Sequence, residues 1–211
     1  MPDIDLTQGP KNLSRYDVVG ERAEGQTLFV KHAGLLDEES QSVKMGDEVR
    51  VLHMGPPLEQ GTIKVHVVGR VPLRNDEIKI ISTWFEKIVD EYPRLPERQY
   101  VIHPPWKDEY DQNTGVRRYR RYSCVGFVLD SHSQVDIELL QIDKGSLPDV
   151  YPKTIKLTYG LNPGPLLSEF GLEGDGPWKV VLAGYVLHAL KRTTKQIRQE
   201  PYQAQEGDEQ F

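Results

Sequence analysis

Cysteine is almost absent: the 211-residue chain holds a single one, Cys124. One thiol cannot close an internal disulfide, so a disulfide-framework secreted domain is excluded, as is every zinc or iron–sulfur site built from several cysteines. An excess of positive charge is also missing. Lysine and arginine number 26 against 32 aspartates and glutamates, a balance of −6, which argues against a general nucleic-acid binder. Long apolar runs are lacking too. The richest stretch, residues 180–190, is broken by Gly184, Tyr185 and His188 and is too short to cross a bilayer. The opening MPDIDLTQGPKNLSRYD carries neither the basic nor the apolar segment of a signal peptide. The chain is therefore expected to be soluble and cytoplasmic. What is present is ordinary globular material, with 37% hydrophobic and 27% charged residues, in a length that allows one domain with a real core.

The pattern along the chain predicts an α+β fold, with a small, mostly antiparallel sheet packed against helices. Residues 1–25 read as a polar arm or an edge strand, 26–192 as the single domain, and 193–211 as a mobile, Gln-rich tail. Strands are expected at TLFVKHAGLL (27–36), VRVLHMG (49–55), TIKVHVVG (62–69) and TIKLTYG (154–160). Asn75 is placed to cap a helix that carries Asp76 and Glu77 on its first turn and is ended by Pro93. Residues 93–121 look like a long loop. A second helix should start at Ser123 or Cys124 and run towards Ile142, weakened in the middle by Asp130, Ser131 and Ser133. Residues 177–192 read as a last helix, alone or after a strand.

Cys124 stands in RRYRRYSCVGFVLD. With Ser123 as N-cap, the thiol occupies the first helical turn, where the dipole and the arginines at 117, 118, 120 and 121 would lower its pKa. Gly126 would leave room for a substrate. A nucleophile needs a base, and six histidines are available: His32, His53, His66, His103, His132 and His188. His132 lies two turns down the same helix, about 12 Å from Cys124 by the rise per residue, and is excluded. His103 sits in a loop and His188 has no motif around it. A lone cysteine is most often a small buried hydrophobe, and a lone histidine is most often structural.

The order of elements matters more than any one residue. A strand histidine in His32-Ala33-Gly34-Leu35-Leu36 precedes a strand, a helix and then a helix-initial cysteine in Cys124-Val125-Gly126-Phe127-Val128. This order resembles the circularly permuted branch of the NlpC-type papain-like cysteine hydrolases, which includes lecithin–retinol acyltransferase-like proteins and permuted amidases. It covers about residues 26–140. The resemblance implies a permuted papain-like fold and an amide, peptide or thioester hydrolase or acyltransferase working through an acyl-enzyme. Cys124 would be the nucleophile, His32 the base, and His53 the group that orients it, with His66 as the alternative third member. Strand register decides between those two. Tyr122 and Arg121 are candidate oxyanion or substrate contacts, and no cofactor or metal is implied. The cysteine signature lacks the residues that mark the acyltransferase group.

RRYRRY also interleaves arginine with tyrosine, as in single-stranded nucleic-acid binding, but in an acidic chain a solvated edge is the better reading. A basic rim beside Cys124 would favour an anionic substrate. The rival reading of the whole is a non-catalytic interaction module on a degenerate papain-like fold, touching anionic ligands through RRYRRY.

Overall fold

The computed structural model describes residues 3–54, 58–91, 100–143, 145–162 and 164–211. Valine- and leucine-containing segments, several of them buried on both faces, pair into a six-stranded antiparallel sheet. In chain order the strands are β1 (Asp3–Ile4), β2 (Lys11–Leu13), β3 (Val18–Arg22), β4 (Val30–Leu36), β5 (Ser40–Val43), β6 (Glu48–Met54), β7 (Leu58–Lys64) and β8 (Val67–Gly69). The sheet order is β1-β8-β3-β4-β6-β7, and β2 and β5 form a separate pair. One set of sheet residues, Leu36, Val49, Val51, Ile63 and Val65 among them, builds a small core of its own. Val18, Ala33, Leu35, Leu52 and Met54 join the main core beneath the helices.

The helices are α1 (Asn75–Glu91), α2 (Cys124–Ser133), α3 (Pro152–Tyr159), α4 (Pro165–Glu169), α5 (Ala183–Leu190) and α6 (Thr194–Gln199). Every residue of α2 from Cys124 to His132 is buried. A helix apolar on all sides belongs inside, and α2 packs against β4, β6, α1 and α5. A hairpin of β9 (Trp106–Tyr110) and β10 (Arg117–Tyr122) leads into it. The α+β class and the antiparallel sheet are as expected. Among the described residues, no helix is long and apolar enough to cross a membrane.

Several local expectations are corrected. Residues 154–160 are not a strand: Pro152 opens α3, and Gly160, at φ 71°, closes it by returning its N–H to the Lys156 carbonyl. Those two signals outweigh the β-branched look of TIKLTY, and Ile155 and Thr158 are buried three apart, as on a helix face. The segment 62–69 splits into β7 and β8. The helix of Cys124 stops at Ser133, where the Ser133 hydroxyl and the Gln134 amide donate to the Asp130 carbonyl and take over the end of the ladder. Asn75 is the first helical residue of α1, and the Glu77 carboxylate, not Asn75, accepts the preceding Arg74 N–H at 2.7 Å. Pro93, proposed to end that helix, lies outside the described residues.

The loop expected up to Arg121 contains the β9–β10 hairpin. The supposed N-terminal arm supplies β1, β2 and the interior strand β3. The supposed tail holds α6, capped by a reciprocal Thr193–Gln196 box. Arg198 on α6 forks onto the buried Glu77 of α1, with both contacts at 2.8 Å.

Candidate active site

β4 and β6 pair through Leu35↔Leu52 and Leu36↔Val51. Next to that short ladder, His32 Nε2 and His53 Nδ1 lie 2.7 Å apart and share one hydrogen bond. The rings meet edge to face at 84°. His53 can lie flat because β7 offers Gly61 beneath it: a Cβ there would fall 2.5 Å from His53 Nε2. Burial, then His53 and Lys31, push the His32 pKa down to about 3, so its imidazole is neutral at ordinary pH. If Nε2 of His32 carries the shared proton, Nδ1 is left as a lone-pair acceptor. His66 accepts the Arg22 N–H at 3.3 Å. The partner brought to His32 is therefore His53, not His66.

Cys124 begins α2 as expected. The Ser123 hydroxyl oxygen accepts the Gly126 N–H at 2.8 Å, an N-cap. The thiol is fully buried. Its sulfur is faced by the Ala33 N–H, the Tyr100 hydroxyl and the N–H groups of Val125 and Cys124 itself. Ala33 lies in the main core with Cys124, whereas His53 sits beside Val51 over Gly34, so the His32–His53 pair occupies the other face of the sheet and the thiol meets only the backbone of β4. No hydrogen bond joins it to the His32 ring. Burial outweighs all those donors and raises the thiol pKa, the opposite of the expected lowering. Tyr100 and Cys124 interact electrostatically, each shifting the other's ionisation.

The space expected above Gly126 is filled by the protein itself. The Pro105 carbonyl accepts the Ser123 N–H at 2.9 Å and the Ser123 hydroxyl at 3.3 Å. A Cβ on Gly126 would fall 1.8 Å from that oxygen. Only glycine permits this approach, and the segment His103–Pro105 closes over the start of α2.

No family model, curated protein or solved structure matches this chain.

The arginine run is neutralised where it stands. Arg117 and Arg120 pair with Asp108, Arg118 with Asp111, and Arg121 with Glu109. Arg120 also reaches Asp130 at 3.0 Å. Arg120 stands directly opposite Asp108 in the hairpin register, and the other arginines reach acids diagonally, which removes the field that was to act on the thiol. Tyr122 is likewise turned away from an oxyanion role, since its hydroxyl donates to Asp130 at 2.5 Å. Arg121 donates to the Tyr100 carbonyl at 2.5 Å and so fixes the chain that carries the Tyr100 ring. His132 is buried on α2 with Nδ1 at 2.8 Å from the Val128 carbonyl and its pKa lowered by burial to about 4. His188 bonds the Gln210 carbonyl. Among the described residues, no cluster of three or more His, Cys, Asp or Glu forms a metal site.

Sequence reasoning missed Tyr100 and Tyr159. Both residues are half-buried against the main core, and desolvation, with the Cys124 thiol as a second cause, raises their pKa well above the ordinary value. Neither sits in a motif. Their relation to the thiol depends on β10 pairing with Tyr100 and α3 packing on β4, which are contacts between segments distant in sequence.

Proposed function

We propose that the protein is a cysteine-dependent hydrolase or acyltransferase acting on an amide, peptide or thioester, with a permuted papain-like order of elements. The observation that supports this is the His32–His53 hydrogen bond, which lies across strand β4 from Cys124 at the start of α2. The buried, uncharged thiol is its resting state. The segment 103–105 shifts to admit the substrate.

The step requires the His32 side chain to turn from the outer face of β4 towards α2; Cys124 Sγ then attacks the carbonyl carbon and its proton passes to His32 Nδ1. The new S–C bond moves the carbonyl electron pair onto oxygen, where the Cys124 N–H and the Tyr100 hydroxyl donate hydrogen bonds. The tetrahedral adduct collapses, its C–N or C–S bond to the leaving group breaks, and His32 returns the proton to the departing amine or thiol. Water then attacks the acyl-enzyme and gives a proton to His32. Cleavage of the C–S bond to Cys124 releases a carboxylic acid, and the thiol recovers its proton. His53 holds the His32 tautomer in the resting state. A lone free thiol fits a reducing compartment, and the cytoplasm is proposed on that ground.

A second reading is a non-catalytic module, and the burial and raised pKa of Cys124 favour it. One measurement separates the two. Because Cys124 is the only thiol, intact-mass spectrometry of the native protein with iodoacetamide reads it directly. The hydrolase should be alkylated while folded, and Cys124→Ala should lose amide or thioester hydrolysis by about a thousandfold or more while its circular dichroism stays the same. A native thiol that resists alkylation, together with an alanine variant that keeps full activity in cells, establishes the module.

A further inference from the structure

The hairpin matches its charges within the chain but leaves one row of backbone unmatched. Among the described residues β9 pairs with β10 alone. The outer edge of β9 therefore presents N–H and C=O groups with no strand beside them, and such a row templates a further strand. The same short strand carries an uncovered aromatic ring, since Tyr110 is 57% exposed.

The order Trp106-Lys107-Asp108-Glu109-Tyr110 says which strand fits. Alternation puts Trp106, Asp108 and Tyr110 on one face and Lys107 and Glu109 on the other. Arg120 lies over the Trp106 ring and bonds Asp108, as that division requires. A second copy of β9, antiparallel and related by a twofold axis normal to the sheet, keeps every residue on its own face. With the axis at Asp108, the whole strand pairs. Lys107 then stands opposite the partner's Glu109, twice over, and the exposed Tyr110 meets the partner's Trp106. Lys107 and Glu109 lie 3.9 Å apart within one chain, so two copies form a square of alternating charge. The two Asp108 carboxylates meet at the axis, and each is already neutralised by Arg120 at 2.8 Å and Arg117 at 3.6 Å. Sliding the strands by two residues sets lysine against lysine in one direction and glutamate against glutamate in the other, so charge selects a single register.

We propose that the protein forms a symmetric dimer through this edge, joining the β9–β10 hairpins of two copies into one continuous antiparallel sheet. The dimer does not depend on the hydrolase reading. Lys107 and Glu109 repel a strand that does not offer charges in this order, which makes the edge selective for its own copy. The strand is only five residues long, so the dimer is expected to dissociate on dilution.

The test is sedimentation velocity of the full chain over a range of concentrations, repeated on Lys107→Glu and on Lys107→Glu/Glu109→Lys. The single change puts like charges opposite each other and is expected to weaken association about tenfold or more. The double change reverses both pairs, restores the match between copies and is expected to recover the native association. Within the chain it leaves Arg121 an acidic neighbour, now at position 107 directly across the hairpin, and circular dichroism checks that both variants fold. A monomer at every concentration overturns the pairing. So does a dimer that the single change leaves intact, or one that the double change fails to restore.

Discussion

Two polar groupings, one on the hairpin that leads into α2 and one made of Cys124 and the histidines across strand β4, follow opposite electrostatic rules. On the hairpin side the groups are ionised and matched: Arg120 bridges Asp108 at 2.8 Å and Asp130 at 3.0 Å, and the Tyr122 hydroxyl closes on Asp130. On the sheet side burial keeps Cys124 and His32 uncharged. Cys124 follows the last hairpin residue, Tyr122, by two positions, yet the hairpin's charge does not make the thiol acidic. Charge near a group in sequence counts only if it is unmatched and close in space. Here acids on β9 match it, and desolvation decides the state of the sulfur.

The hairpin side gives the largest expected effect. Asp130 is 6% exposed and accepts from both Arg120 and Tyr122. Asp130→Ala strands a guanidinium and a phenol and is expected to cost about 3 kcal/mol in denaturant unfolding. Asp130→Asn, which keeps an acceptor for Tyr122, should cost less. A loss well under 1 kcal/mol for the alanine variant would mean that the matched charges are a solvated rim. The comparison sharpens further if the pH midpoint of Cys124 alkylation is unchanged in these variants.

The sheet side should appear in acid. His32 has a folded value of about 3 against an ordinary 6.5, so the unfolded chain takes up the proton first as pH falls. Its contribution to stability is whole above pH 6.5 and is lost progressively on the way down towards 3. Between pH 6.5 and 5 that loss is about 2 kcal/mol. His132, lowered to about 4, adds in the same direction, and so does Glu77, which Arg198 holds at about 2, over a lower window starting near 4.5. The His32 share is the difference between native protein and His32→Asn across this range. If the two stability curves run parallel, His32 is not held neutral by the fold.

The sequence was most readable where a local rule and the tertiary contacts agree. Ser123 as a cap, Cys124 at the helix start and His32 and His53 on neighbouring strands follow from cap chemistry and strand patterning. The α+β class follows from the spacing of apolar runs. Residues 154–160 misled because six residues rich in threonine and isoleucine satisfy either period, and the deciding Pro152 and Gly160 lie at the ends. The thiol's ionisation was misjudged because RRYRRY is visible in the sequence, whereas the pairing of Asp108, Glu109 and Asp111 with it requires the hairpin register. Gly126 was read as space for a ligand because a missing side chain does not say what fills the gap. Only the fold brings Pro105 there.

Ser123 joins the two sides, so the smallest expected effect is also the most diagnostic. Its hydroxyl accepts the Gly126 N–H at 2.8 Å and faces the Pro105 carbonyl at 3.3 Å. Ser123→Ala removes one N-cap, which costs about 1 kcal/mol, and loosens the segment that closes over α2 without touching the backbone bond from Ser123 N to Pro105. If that segment is the gate to the thiol, iodoacetamide should reach Cys124 faster in Ser123→Ala than the stability change alone predicts, because local opening is easier than global unfolding. The excess is read by comparing alkylation rates with Asp130→Ala, which is destabilised more but leaves the segment's contacts with Ser123 in place. Should both variants raise the rate only in proportion to their lost stability, the thiol is exposed by unfolding alone, and the difference between the two flanks is one of stability and not of access.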